Sequence, residues 1–402
     1  MLNYRLPLFL AKLAATLLLP IVPAVAQDMA SPAQGRMITP ASSYPVPGIP
    51  RTPLLVFLPD NGPEPALPGG ETPGSIACIY GVVAKTVGCP KASNILPMGG
   101  SRAIAVIEWG KNSSMSSDLA QFTTMFGLPP ANVTEVCIEA NCQSNDGTGW
   151  DVETSLDVQW AHAMAPHAQL FVVESSVNLF NAVDKASQLV SAAGGGEISN
   201  SWVTSQTGEP SNETQLDQNF QTPGIVYFAA AGDWGVGALY PSSSPYVVSA
   251  GGTTIQRDAS GNYTGETCWS DSGGGVSRYE IRPNYQRTIG NIAGTRRGTP
   301  DWAADADPAS GVAIYNTTSC HGWCRAGGTS AATPILAAIV NQLGTFLNST
   351  FDELTKTYDE YNRGTLWLKY FTDIRTGSNG APAKTGWDTC TGLGIPKDPT
   401  GL

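Results

Sequence analysis

The chain has 402 residues, enough for one large hydrophobic core or two modest ones, and its net charge is −11. With only 22 Lys plus Arg and no basic cluster, it is poorly suited to nucleic acid or to an anionic membrane surface. Eight cysteines, an even number, suit an oxidising compartment.

In chain order, residues 1–26 read as a secretory signal. Arg5 and Lys12 are basic, "LAATLLLPIV" is the apolar run, and "AVA" ends at the expected cleavage point, Ala26. Residues 27–75 hold 11 of the 30 prolines, which predicts an extended linker or a remnant propeptide rather than packed structure. From there the texture changes to short apolar runs at 103–109, 169–175, 224–232 and 246–252. Helical patterns at 151–164 and 177–193 lie between them, so one α/β domain over 76–398 is expected, with a mostly parallel sheet and helices on both faces. In such sheets chemistry gathers beyond the carboxyl ends of the strands, which points to Glu108, to residues 200–202 and to Asp233.

Short separations make Cys78–Cys89, Cys137–Cys142 and Cys320–Cys324 natural local disulfides, leaving Cys268 and Cys390 as a long-range pair. The spacings lack paired CxxC groups, so zinc is not expected. Six N-x-[ST] sequons begin at Asn112, Asn132, Asn212, Asn262, Asn316 and Asn348.

"AGGTSAATPILAAI" (326–339) reads as a glycine turn handing a serine to a helix, with Pro334 tolerable in the first turn. Ser330 there is a candidate nucleophile, but a serine hydroxyl needs a base. The three histidines, His162, His167 and His321, compete poorly. His162 lies roughly 180° around its helix from Glu153, although an Asp157–His162–Ser330 order is conceivable. Glu153 and Asp157 are four apart on the 151–164 helix, beside an apolar rail of Val152, Leu156, Trp160 and Ala163, with no Lys or Arg on that helix. Two carboxylates pressed together in poor solvation should have at least one raised pKa, which is what acid–base chemistry uses.

These features resemble the sedolisin family, the serine-carboxyl peptidases: "GGTSAATP" around Ser330, Glu153-x-x-x-Asp157, "AAAGD" ending at Asp233, "SDSGGGVS" and "RGTPDWAADADP". The similarity spans about 77–398 and implies a subtilisin-like fold. It further implies Ser330 as nucleophile, Glu153 as its base, Asp157 as the orienting acid and Asp233 as oxyanion stabiliser, with Glu108 and Trp202 beside the proton-sharing chain. A protonated Asp233 could donate to an oxyanion, helped by acid and by burial beside Trp234.

The same resemblance implies one structural Ca²⁺ held by Asp373 and Asp388, with main-chain carbonyls of Ile374, Lys384 and Gly386, an oxygen-only set that calcium favours. Lys384 stands where the family has glycine. Substrate is expected to pair with "NSWV" through Ser201 and with Ser272, Gly273 and Gly274; Val203 departs from the family's glycine. The expected protein is a secreted monomer acting on proteins or peptides as an endopeptidase. A tripeptidyl-type exopeptidase, a non-catalytic binding protein and a carboxylate-pair glycosidase are the alternatives. The large folded propeptide usual in the family has no counterpart in residues 27–75.

Overall fold

Along Ala103–Trp109, Ile104 and Val106 enter one hydrophobic core while Ala103, Ala105 and Ile107 enter another, so an unbroken apolar run serves two buried faces. This strand is central in the computed structural model, which describes residues 35–46, 49–59 and 69–402; the expected signal sequence lies outside the described residues. In chain order the strands are β1 (Gly35–Ile38), β2 (Leu55–Pro59), β3 (Ala103–Trp109), β4 (Asn132–Cys137), β5 (Gln169–Ser175), β6 (Gly196–Asn200) and β7 (Ile225–Ala230). They continue as β8 (Val248–Arg257), β9 (Tyr263–Cys268), β10 (Gly275–Ile281), β11 (Arg296–Thr299), β12 (Trp302–Asp305), β13 (Val312–Asn316) and β14 (Gly322–Gly327).

The main sheet has the order β12-β8-β7-β6-β3-β5-β4, every pair parallel, with β9 added antiparallel to β8. Two helices, Trp150–Met164 (the acid helix) and Thr329–Gln342 (the serine helix), pack against each other on one face, while Leu179–Ala192 covers the other. This is the expected doubly covered α/β, subtilisin-like architecture. The expected strands 103–109 and 169–175 and helix 151–164 match the observed elements to within one residue. Strand β4 escaped prediction because its exposed edge alternates with polar residues.

The Pro-rich stretch corrects the linker expectation. From Gly35 it is woven into a second, antiparallel sheet of order β1-β2-β14-β13, and the compact unit runs from 34 to 402. Proline punctuates this segment without preventing it from pairing: β2 lends Val56 to the core, and the preceding Leu54 is buried with it. All four expected disulfides are present, Cys78–Cys89, Cys137–Cys142, Cys268–Cys390 and Cys320–Cys324. Among the described residues no helix is long and apolar enough to cross a membrane.

Candidate active site

The acid helix is not amphipathic in the folded chain: all fifteen of its residues are buried. Trp160 anchors it by donating its indole N–H to Ala313 O at 3.0 Å, and Gln159 binds both N–H and C=O of Tyr315. The serine helix enters from β14 through Gly327 and Gly328. Gly328 has φ +97°, and a Cβ there would lie 2.0 Å from Pro53 O and 2.5 Å from Asp233 Oδ2, so only glycine fits.

Ser330 is the second residue of the serine helix and is fully buried. Among the described residues its Oγ and both carboxylate oxygens of Glu153 lack a well-aligned hydrogen bond. Burial pushes the Glu153 carboxyl well above the usual range; the Ser330 hydroxyl opposes this by favouring the ionised form, while Glu108 and Asp233 add to the rise. Such loose contacts between nucleophile and base are usual before substrate closes a site. Asp157 is raised by burial and then by the Glu153 charge. Ser201 restrains it, donating its hydroxyl to Asp157 Oδ1 at 2.8 Å and also meeting Ser330 O at 3.3 Å. Glu108, at the end of β3, is raised by burial and by Asp157, and accepts from Thr154 Oγ1 at 3.1 Å. The order Ser330–Glu153–Asp157–Glu108 is therefore a continuous buried line. Its three carboxyls cannot all ionise at once, so they titrate as a unit.

Asp233 closes the site from the loop after β7. Its Oδ1 accepts the Thr329 N–H at 2.8 Å and the Thr329 hydroxyl at 2.9 Å. Its Oδ2 is enclosed and has no hydrogen-bond partner among the described residues, although the residue as a whole is partly exposed. Burial raises this carboxyl to about 7 against the two Thr329 bonds. Gly328, Pro53 and Thr329 adjoin the acid, and Trp234 beside it is 37% exposed.

His162 packs against Pro129 O at 3.0 Å and is held to about 4 by burial, away from the serine. His321 sits exposed in the Cys320–Cys324 loop. Trp202 is fully buried, edge-on to Phe180 at 5.2 Å and next in sequence to Ser201, and among the described residues its indole N–H has no partner. Ser201 fastens Asp157 through its hydroxyl. Ser272, Gly273 and Gly274 are buried beside the Asp233 loop. Ser272 Oγ bonds the Gly252 N–H, and Gly273 and Gly274 donate to Gly232 O and Gly237 O. Their glycines let this segment press on the Asp233 loop, where a Cβ on Gly273 would lie 2.1 Å from Ala231 O. Sequence reasoning missed Thr329, Gly328 and Thr154; the first two lie inside the quoted serine motif, which was the available signal.

Main-chain donors join the two segments that carry the candidate calcium residues. Gly386 N–H donates to both carboxylate oxygens of Asp373 at 3.2 Å, and Lys384 N–H to Asp388 Oδ2 at 2.9 Å, joining 373–374 to 384–388. Among the described residues the carbonyls of Ile374, Lys384 and Gly386 accept no hydrogen bond and stay available as ligands. Lys384 contributes only main chain, so its side chain does not disturb the set. Arg375, itself exposed, pairs with Asp373 at 2.6 Å and would swing out for a cation. The donor set is all oxygen and fits calcium.

The fold and this serine–carboxyl line define a subtilisin-like α/β protein of the serine-carboxyl type. Kumamolisin of Bacillus sp. (strain MN-32) is 33% identical over 344 residues, covering 74% of this chain and 59% of the relative. Sedolisin of Pseudomonas sp. (strain 101) is 28% identical over 340 residues, 74% of this chain and 57% of the relative. Tripeptidyl-peptidase 1 of Dictyostelium discoideum is 28% identical over 350 residues, 76% of this chain and 54% of the relative. Among solved structures, Pseudomonas sedolisin complexed with two molecules of pseudo-iodotyrostatin superposes with TM-score 0.64 at 23% identity, over 83% of this chain and 96% of that one. No family model matches. These likenesses support the sedolisin family for the chain, which spans less than three fifths of the length of these curated relatives.

Proposed function

We propose that the protein is a serine-carboxyl endopeptidase that hydrolyses peptide bonds in acid. The observation that carries this reading is the buried, unbonded Ser330 hydroxyl between a raised carboxyl line and the free Oδ2 of Asp233. Ser330 Oγ attacks the peptide carbonyl while Glu153 takes its proton and later delivers it to the leaving amine. Asp157 and Glu108 share protons with Glu153, so one carboxylate is available as base in acid, where a histidine would already be protonated. The tetrahedral oxyanion sits between the Ser330 N–H and Asp233. Since Thr329 supplies both donors to Oδ1, the Asp233 proton belongs on Oδ2, aimed at the oxyanion.

The endo mode is supported by the space at the upstream end of the site. Residues 49–53 lie upstream of Ser330 and 54–59 downstream, and Ile49 and Pro50 border an open hollow with Trp109, Val177 and Thr204. An exopeptidase releasing tripeptides needs that upstream end closed. Export through residues 1–26 and a calcium ion at the 373–388 loops belong to the same reading; bound calcium would tie those loops together away from the chemistry.

Cleavage of a denatured protein at pH 2–8, by the acid-incubated protein and its Ser330→Ala variant, tests the proposal. Equal cleavage by both, or none by either, sinks it. Product mapping that shows only tripeptides from N termini overturns the endo mode.

A further inference from the structure

Glu108 and Asp157 each have one oxygen taken by a hydroxyl. Ser201 donates to Asp157 Oδ1 at 2.8 Å, and Thr154 lies on Glu108 Oε2 at 3.1 Å. Glu108 Oε1 and Asp157 Oδ2 have no other partner among the described residues and are left to share a proton between the two carboxyls. Both acids are fully buried, so their oxygens depend on partners within the protein. The titratable groups facing Glu108 are all acids: Asp157 and Glu153 on the acid helix, and Glu174, its register partner on β5. The serine helix brings none, and Glu197 of β6 stands at the other end of its strand, on Asn341.

Thr154 stands where two acceptors compete for one hydrogen. Its Oγ1 is 3.1 Å from Glu108 Oε2 and 2.8 Å from Trp150 O, the carbonyl one helical turn back. Asn145, ahead of the acid helix, donates its amide N–H to the same Oγ1 at 3.3 Å and to Trp109 O at 3.1 Å, which ties Thr154 to the end of β3. A hydroxyl has one hydrogen and two lone pairs. With one lone pair taken by Asn145, two arrangements remain. When the Glu108–Asp157 pair holds one proton, that proton lies between Oε1 and Oδ2, and Thr154 donates to Oε2. When the pair holds two, the second sits on Oε2 and is donated to Thr154 Oγ1, whose own hydrogen turns to Trp150 O. Each hydrogen has an acceptor in both. Burial raises the Glu108 carboxyl first of all and the Asp157 charge next, and the Thr154 hydroxyl opposes both.

We propose that Thr154 is a positioning residue, a hydroxyl rotor that lets the Glu108–Asp157 pair hold either one proton or two and so supplies the anion that Glu153 needs to act as base. This rests on the peptidase reading and extends it to how the carboxyl line loses its proton. One proton leaves the doubly protonated pair for water, and the Thr154 hydrogen turns from Trp150 O to Glu108 Oε2. Asp157 then takes the proton of Glu153, which becomes the carboxylate, and Thr154 turns back. Only O–H bonds change, and one proton lost to water leaves one anion in the line. Without the hydroxyl, Oε2 loses its donor in the ionised pair, the state that suffers most because hydrogen bonds to charged groups are the stronger ones.

Rate–pH profiles of the full chain and its Thr154→Val and Thr154→Ser variants, each checked by Tm, test the rotor. Losing the hydroxyl raises the pH at which the line first ionises, so the acid limb of kcat/KM should move up by about one unit in Thr154→Val. KM at the optimum should stay within about twofold, and Thr154→Ser should restore the wild-type limb. Thr154→Ala gives the same reading should valine disturb the packing. A measurement without turnover uses the Ser330→Ala protein: infrared difference spectra across pH follow its protonated carboxyls, and Glu108→Gln in that background assigns the band. Thr154→Val should move the titration of that band up by the same amount. A limb and a band unmoved in the folded variant overturn the proposal, as does Thr154→Ser behaving like Thr154→Val. No hydrolysis by the wild type overturns the peptidase reading, and the infrared titration then decides the rotor by itself.

Discussion

Thr329 gives Asp233 both its main-chain N–H and its hydroxyl, at 2.8 and 2.9 Å on one oxygen, and thereby decides where the aspartate carries its proton. A single residue next to the nucleophile thus turns an acceptor into an oxyanion donor, provided the carboxyl stays neutral. Burial holds it at about 7. The neutral, working form is populated below that value and lost above it, so kcat/KM should fall as pH rises through about 7. Asp233→Asn keeps a donor that does not titrate and should retain activity within about tenfold while losing this alkaline limb. Asp233→Ala should cost about 10²–10³ in kcat. Rate–pH profiles of the three proteins check this.

Gly328→Ala places a methyl group where Pro53 O and Asp233 Oδ2 now meet. Its φ of +97° adds backbone strain for any other residue. Peptide hydrolysis should drop by about 10² or more. The melting temperature measured beside it separates a blocked oxyanion site from a lost fold.

Glu153→Gln removes the base but leaves its shape. Turnover should fall by about 10⁴ or more, as expected for a residue acting as one unit with its serine. Folding should not suffer, because a neutral amide replaces a carboxyl that burial already disfavours as an anion. Calorimetry at pH 7 should find Tm equal or higher; a marked fall in Tm would contradict the assigned electrostatics.

Stability should decline from acid toward neutral pH. Glu266 and Glu353 are each raised to about 7, chiefly by burial, from a value of about 4.3 in an unfolded chain. Between those values the native state holds protons that the unfolded state has released. This contribution is therefore complete below about pH 4 and is lost as pH rises through about 7. Tm across pH 4–8 measures it, and Glu353→Gln should flatten the slope.

Calcium at the 373–388 loops should raise Tm by about 5 °C at a hundredfold excess over its dissociation constant. Chelator should reverse the gain, and Asp388→Asn should abolish the response. A melting temperature indifferent to both would remove the ion from the account.

The division between sequence and fold follows from the range of each interaction. Strands β3 and β5, the acid helix and the short-spaced disulfides were legible because periodicity and spacing are local properties. The serine motif, Glu153, Asp157 and Asp233 were legible because the chemistry demands those residue types. Their convergence was not, since Asp233 meets Thr329 across 96 positions and Ser201 meets Asp157 across 44. Burial of the whole acid helix, and hence its raised carboxyls, depends on packing by elements distant in sequence. The Pro-rich stretch shows the limit from the other side. Composition by itself pointed to an extended course for residues 27–75, while tertiary structure decided that part of it would pair with β14 and lie across the serine. A proline restrains its own φ and withholds one N–H, but the carbonyl it keeps is what the site binds.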